Sequence, residues 1–80
     1  MLTARYGISL ADYERMLEAQ GGCCAICGTR EWGSKGPNVD HDHRTGRVRG
    51  ILCKGCNTGI GLFDEDPNRM RLAIRYVEMK

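Results

Sequence analysis

Apolar residues recur every three or four positions in two stretches of this chain, and the stretch between them reads differently. In the first, Leu10, Tyr13, Met16 and Leu17 share one face of a helix. Ser9 stands where an N-cap belongs, and Asp12 three residues later resembles a capping box with Asp in place of Glu. Gly21-Gly22 stops the run, so the pattern predicts a helix over Ser9 to Gln20. Near the other end, Met70, Ala73, Ile74 and Val77 form a second apolar stripe, with Arg69, Arg71 and Arg75 facing elsewhere. Asp66 can cap that helix, and Pro67 suits its first turn. Between the two, Val39 to Asp42 and Arg47 to Leu52 read as the strands of a hairpin, turned by Arg44-Thr45-Gly46. "GTREWGSKGPN", Gly28 to Asn38, is loop-like, and Trp32 within it reads first as cover for a small core. A short helix from about Asn57 to Phe63 follows the hairpin, although Gly59 and Gly61 each cost it about 1 kcal/mol.

The length changes what these elements can do alone. Eighty residues make one domain, 1–80, with a core too small to be stable by burial alone. Something should staple it, and five cysteines are at hand. Met1 to Gly7 has no apolar run of signal-peptide length, and nothing approaches a membrane span. That points to a cytosolic protein with no membrane partner, a setting where paired cysteines hold metal more often than they form disulfides.

Their spacing agrees. "CAIC" places Cys24 and Cys27 in one knuckle, and "CKGC" places Cys53 and Cys56 in another. Four thiolates match the tetrahedral preference of Zn2+, and a full set of four leaves no open position for catalysis. Gly28 and Gly55 are expected to help the turns aim backbone N–H groups at the sulfurs. Cys23 is one residue too far from Cys27 to replace Cys24. A disulfide pair or a thiol redox site is the alternative. With zinc bound, four thiolates add −2 to a formal net charge of +2, so attraction to DNA would depend on local charge.

That local charge lies in "NVDHDHRTGRVRGILCKGCN", Asn38 to Asn57. Between His43 and Phe63 there is no acidic residue, while Arg44, Arg47, Arg49 and Lys54 fall there. The cluster is a solvated face or a phosphate-binding one. Asp40, His41, Asp42 and His43 precede it. Imidazole is a general base near neutral pH, and a carboxylate suits Mg2+ or Mn2+. Asn57 follows the last zinc cysteine, so the clamp would bring it opposite Asp40, where the two could share one metal. Neighbours on a regular strand point to opposite faces, so Asp40 and His41 serve one site only if the strand bends or bulges. The alternative is a polar strand whose aspartates pair with Arg47 and Arg49 across the hairpin.

"YGIS…YERMLEAQGGCCAICG", "VDHDHRTGRVRGILCKGCN" and "GLFDEDPNRMRLAIRYVE" together resemble the recombination endonuclease VII family of HNH nucleases, known largely from bacteriophages. The resemblance implies a ββα-metal (HNH, or His-Me finger) fold with flanking N- and C-terminal helices, in a small zinc-stabilised α+β domain. It implies that Asp40 and Asn57 bind a catalytic Mg2+ or Mn2+, that His41 is the general base, and that His43 contacts the scissile phosphate. Cys24, Cys27, Cys53 and Cys56 match its structural zinc ligands. Some members have a histidine where this chain has Asn38 and an acidic residue where it has Ile60. Larger members continue into helices used for dimerisation and for binding branched DNA, whereas this sequence ends at Lys80.

The function expected on this basis is metal-dependent DNA endonuclease activity, leaving 5′-phosphate and 3′-hydroxyl ends. Arg44, Arg47, Arg49 and Lys54 are the expected phosphate contacts, which position a duplex without reading bases. With no base-reading helix in view, nicking or cleavage of double-stranded or branched DNA with little sequence preference is expected. One active site cuts one strand at a time, so a double-strand break needs two encounters or a homodimer. If phage-encoded, the protein would act in the cytoplasm of the bacterial host. The alternative function is a non-catalytic zinc module that binds DNA or a protein partner through the same cysteines and arginines.

Overall fold

A computed structural model describes residues 8–79. The reading of Met1 to Gly7 and the first two residues of "YGIS" lie outside them, as does Lys80. The elements run α1 (Leu10–Ala19), β1 (Asn38–His41), β2 (Val48–Leu52), α2 (Lys54–Leu62) and α3 (Pro67–Glu78).

Local signals explain the helix ends. The Ser9 hydroxyl accepts the Asp12 N–H at 3.1 Å, so α1 starts where its cap predicts. At its other end Gly21 (φ 78°) and Gly22 (φ 72°) donate to Glu18 O and Leu17 O, both at 2.9 Å, closing the helix in a left-handed cap. Tyr13, Met16 and Leu17 are half-buried as their spacing predicts, but Leu10 is 57% exposed.

Gln20 continues the same face, and its side chain does what a third strand would do. It accepts the Ile51 N–H at 2.8 Å and donates to Ile51 O at 2.9 Å and Cys23 O at 2.8 Å. The free edge of β2 is thereby satisfied by an amide from a helix end. Gly50 permits this approach, since a Cβ there would lie 3.2 Å from Gln20 Oε1.

The hairpin pairs Asn38 with Leu52, Val39 with Ile51, Asp40 with Gly50, and His41 with Val48. Arg49 is left over, which makes a bulge opposite the Asp40–His41 step. Gly46 (φ 77°) donates to Asp42 O at 2.6 Å to close the turn. The Asp42 carboxylate accepts the Arg44 N–H at 2.8 Å, and that bond, above all, holds its pKa below the usual carboxylate range.

Helix α2 begins at Lys54, three residues before the expected start, because Cys53 caps it: its Sγ accepts the Cys56 N–H at 3.4 Å. The helix packs on both strands. Asp66 caps α3 by accepting the Asn68 N–H at 2.9 Å, with Pro67 in the first turn.

The core is small. Cys24, Ile51 and Leu52 are the buried apolar residues among those described, joined by one buried carboxylate, Asp40. Trp32 is half-buried. The apolar stripe of α3 does not reach this core: no α3 residue is buried, and Ile74 and Val77 are 55% and 78% exposed. With Phe63 they line an open apolar groove instead. Periodicity predicts a face, and here the core is too small to cover it.

Candidate functional site

Two sites flank the hairpin. In the first, a tight turn and the N-terminus of α2 aim thiols at one point. Cys24 donates its N–H to Thr29 O at 2.9 Å, and Gly28 (φ 78°) donates back to Cys24 O at 3.1 Å. Gly55 plays no equivalent role, for it lies within the first turn of α2. The sulfurs of Cys24, Cys27, Cys53 and Cys56 all lie within 4.8 Å of one another. Cys27 Sγ and Cys53 Sγ are 3.8 Å apart, matching the edge of about 3.8 Å that a tetrahedron with Zn–S bonds of about 2.3 Å requires. The cluster can therefore hold a structural metal such as zinc. Cys23 is not part of it, since its thiol donates to Gln20 O at 2.8 Å.

Cys24 and Cys56 are shifted in opposite directions. Burial raises the Cys24 pKa, but N–H groups of Cys53, Cys27 and Ile26, with the Cys27 thiol, outweigh it and hold Cys24 below the usual thiol range. Burial pushes Cys56 up, and the surrounding thiols and the Cys24 charge push it further. One thiolate thus opposes the next, and a divalent cation at the centre is what would let all four ionise together.

The second site is built on the bulge. Asp40 is 7% exposed, and both its oxygens are taken by Arg49: Nε to Oδ2 at 2.8 Å and Nη2 to Oδ1 at 3.1 Å. The bulge is what lets Arg49 lean toward Asp40, because regular alternation would put it on the other face from Gly50, the pairing partner of Asp40. Arg49 Nη2 also reaches His41 O at 3.3 Å and Glu65 Oε1 at 3.0 Å. The Asp40 hydrogen bond is the main reason that the Arg49 pKa is raised. The other Glu65 oxygen lies 2.8 Å from His43 Nδ1. A cavity of about 550 Å3 opens beside this network, lined by His43, Arg44, Arg49 and Glu65 together with Asp42, Gly61, Asp64 and Pro67.

The contacts thus join Asp40, Arg49, Glu65 and His43 into one chain. His41 is half-buried at the end of β1, next to the bulge. Asn57 is half-buried on α2, held by its N–H to Cys53 O at 3.0 Å, on the helix that packs against β1. Arg44 lies near Asp42, at 3.7 Å, on the exposed turn, while Arg47 and Lys54 are exposed outside the network. Arg49, expected at phosphate, is engaged with Asp40, part of the cross-hairpin pairing with Arg47 and Arg49 that was the alternative reading, and with Glu65 from the turn after α2. Glu65 was not singled out by the sequence, where it is one of three successive acids, Asp64 to Asp66, with no periodicity to mark it.

A family model described as recombination endonuclease VII matches residues 1–79. The chain belongs to that family. It is also similar to the "Gene 59 protein" of Mycobacterium phage D29, 48% identical over 59 residues that cover 74% of this chain and 36% of that protein. The protein of the same description from Mycobacterium phage L5 is 48% identical over 56 residues, 70% of this chain and 34% of that protein. The chain therefore spans about a third of the length of these curated relatives. No solved structure matches it. No helix among the described residues is long and apolar enough to cross a membrane.

Proposed function

We propose that this protein is a metal-dependent endonuclease of the HNH type, which nicks or cleaves double-stranded or branched DNA with little sequence specificity. The observation that carries this reading is the bulge at the Asp40–His41 step, in a chain of this family. The extra residue, Arg49, lies on β2, and the irregularity it makes shifts the register beside Asp40 and His41, the neighbouring pair that would serve one site. The order β1, β2, α2, with α2 against both strands, supports a ββα-metal scaffold.

Asp40 and Asn57 would hold Mg2+ or Mn2+. A carboxylate and an amide oxygen are donors these ions take, and each Asp40 oxygen keeps a second lone pair beyond its bond to Arg49. Bound there, the ion would supply Lewis-acid stabilisation of charge on the phosphate and on the departing 3′ oxygen. His41 takes the proton from the attacking water as general base. His43, Arg44, Arg47 and Lys54 meet phosphate oxygens. Arg49 spends Nε and Nη2 on Asp40, His41 and Glu65, so its phosphate contact falls to Nη1.

A second reading has an observation of its own. The Asp40–Arg49 fork is what a purely structural hairpin would also make, and it favours a non-catalytic zinc module that binds DNA or protein. Supercoiled plasmid incubated with the zinc-loaded protein separates the two. Nicked circles ahead of linear product, formed with Mg2+ or Mn2+ and not without, are expected. Intact plasmid with both ions leaves the binding module.

A further inference from the structure

Glu65 has no part in the reaction as set out above. We infer that Glu65 is a positioning residue for that reaction, fixing His43 with Nε2 presented outward and holding Arg49 in its fork on Asp40. The inference rests on the nuclease reading for its catalytic consequence, and on geometry alone for its structural one.

The two oxygens of Glu65 are divided. Oε2 lies 2.8 Å from His43 Nδ1, and Oε1 accepts from Arg49 Nη2 at 3.0 Å. An ionised carboxylate has no hydrogen to give, so Nδ1 must carry the proton in this contact. With Nδ1–H turned to Glu65, Nε2 is the nitrogen that faces outward, and a proton on it would be the one that a phosphate oxygen accepts. The His43 side chain is 79% exposed and Glu65 only 17%, so the carboxylate is the fixed partner and the imidazole the one being placed.

The backbone explains why Glu65 is fixed. It donates its N–H to Ile60 O at 2.8 Å, and Asp64 donates to Gly61 O at 2.9 Å, tying the turn to the last turn of α2. Asp64 (φ 54°) and Glu65 (φ 55°) both sit in the left-handed region, which glycine fills at no steric cost. A carboxylate kept at such a position, facing a histidine and an arginine beside the cavity, joins the end of α2 to the Asp-His run. A residue held this way acts on chemistry through its neighbours, as the partners behind a reacting group do.

The test uses the zinc-loaded protein. At about pH 8.5, where an ordinary imidazole is neutral, long-range proton–nitrogen NMR reads the tautomer of His43 directly. The wild-type chain is expected to show the Nδ1–H form, and Glu65→Gly to revert to the Nε2–H form that free imidazole favours. Glycine accepts a φ of 55°, so the turn survives, and Glu65→Ala removes the same carboxylate without loosening the backbone. Both variants are expected to nick about 10–100-fold more slowly in single turnover, with DNA affinity little changed. A wild-type His43 in the Nε2–H form, or a tautomer that neither variant alters, overturns the inference. Failure of the wild type to nick would sink the proposed function, while the tautomer measurement would still decide the placement of His43.

Discussion

Cys53→Ser is expected to leave the chain unfolded at any zinc concentration that folds the parent. Cys53 has two jobs. Its sulfur is one corner of the thiol cluster, and the same sulfur caps α2 by accepting the Cys56 N–H. Serine is a good N-cap, so this substitution keeps the second job and removes the first. The loss is large because so little else holds the fold. Ile51 and Leu52 are the buried aliphatic side chains among the described residues, and burying each contributes only about 1.5–3 kcal/mol. Zinc binding in small domains supplies an apparent 10–16 kcal/mol or so and is coupled to folding. Cys23→Ser is the matched control: that thiol only donates to Gln20 O, and a hydroxyl can do the same. Circular-dichroism melts with zinc content measured alongside should show a cooperative transition for Cys23→Ser and none for Cys53→Ser. A Cys53→Ser chain that melts like the parent, with zinc bound, would remove the metal from the account of folding.

His41→Ala is expected to have the opposite profile, an intact fold with the chemistry gone. The side chain is half-buried at the end of β1, and alanine keeps the His41 carbonyl that accepts from Arg49. A general base contributes about 10²–10⁴-fold, so plasmid nicking in Mg2+ should fall by that factor while zinc content and melting stay as in the parent. A variant that nicks at the parental rate would assign the base elsewhere, and His43 is the next imidazole along the chain.

Signals that act within a few residues were legible beforehand. Ser9, Gly21-Gly22 and Asp66-Pro67 set helix ends through their own backbone neighbours, and the two knuckles announce a cluster because thiol spacing is a local property. The two-residue period of a strand called for a bend or bulge at Asp40–His41, and the irregularity beside that step falls on β2, where Arg49 is the extra residue. Groups that work at a distance were not legible. Gln20 seals a strand edge thirty-one residues away, and nothing in its surroundings distinguishes it from a solvent-facing helix end. Glu65 reaches His43 and Arg49 only because α2 ends where it does. The fork on Asp40 depends on which residue the bulge displaces, and alternation alone does not say that. The stripe on α3 was visible, but periodicity does not tell what covers a face.

The central claim is that two ions have separate work: one bound by sulfur holds the scaffold, and one bound by oxygen at Asp40 serves the reaction. Titrating Mn2+ into the zinc-loaded protein, followed by electron paramagnetic resonance with zinc assayed in the same sample, tests it most directly. The account predicts that wild-type chain binds Mn2+ without releasing zinc, and that Asp40→Ala keeps its zinc and loses the Mn2+. Equal Mn2+ binding by Asp40→Ala, or Mn2+ that enters only as zinc leaves, would contradict it.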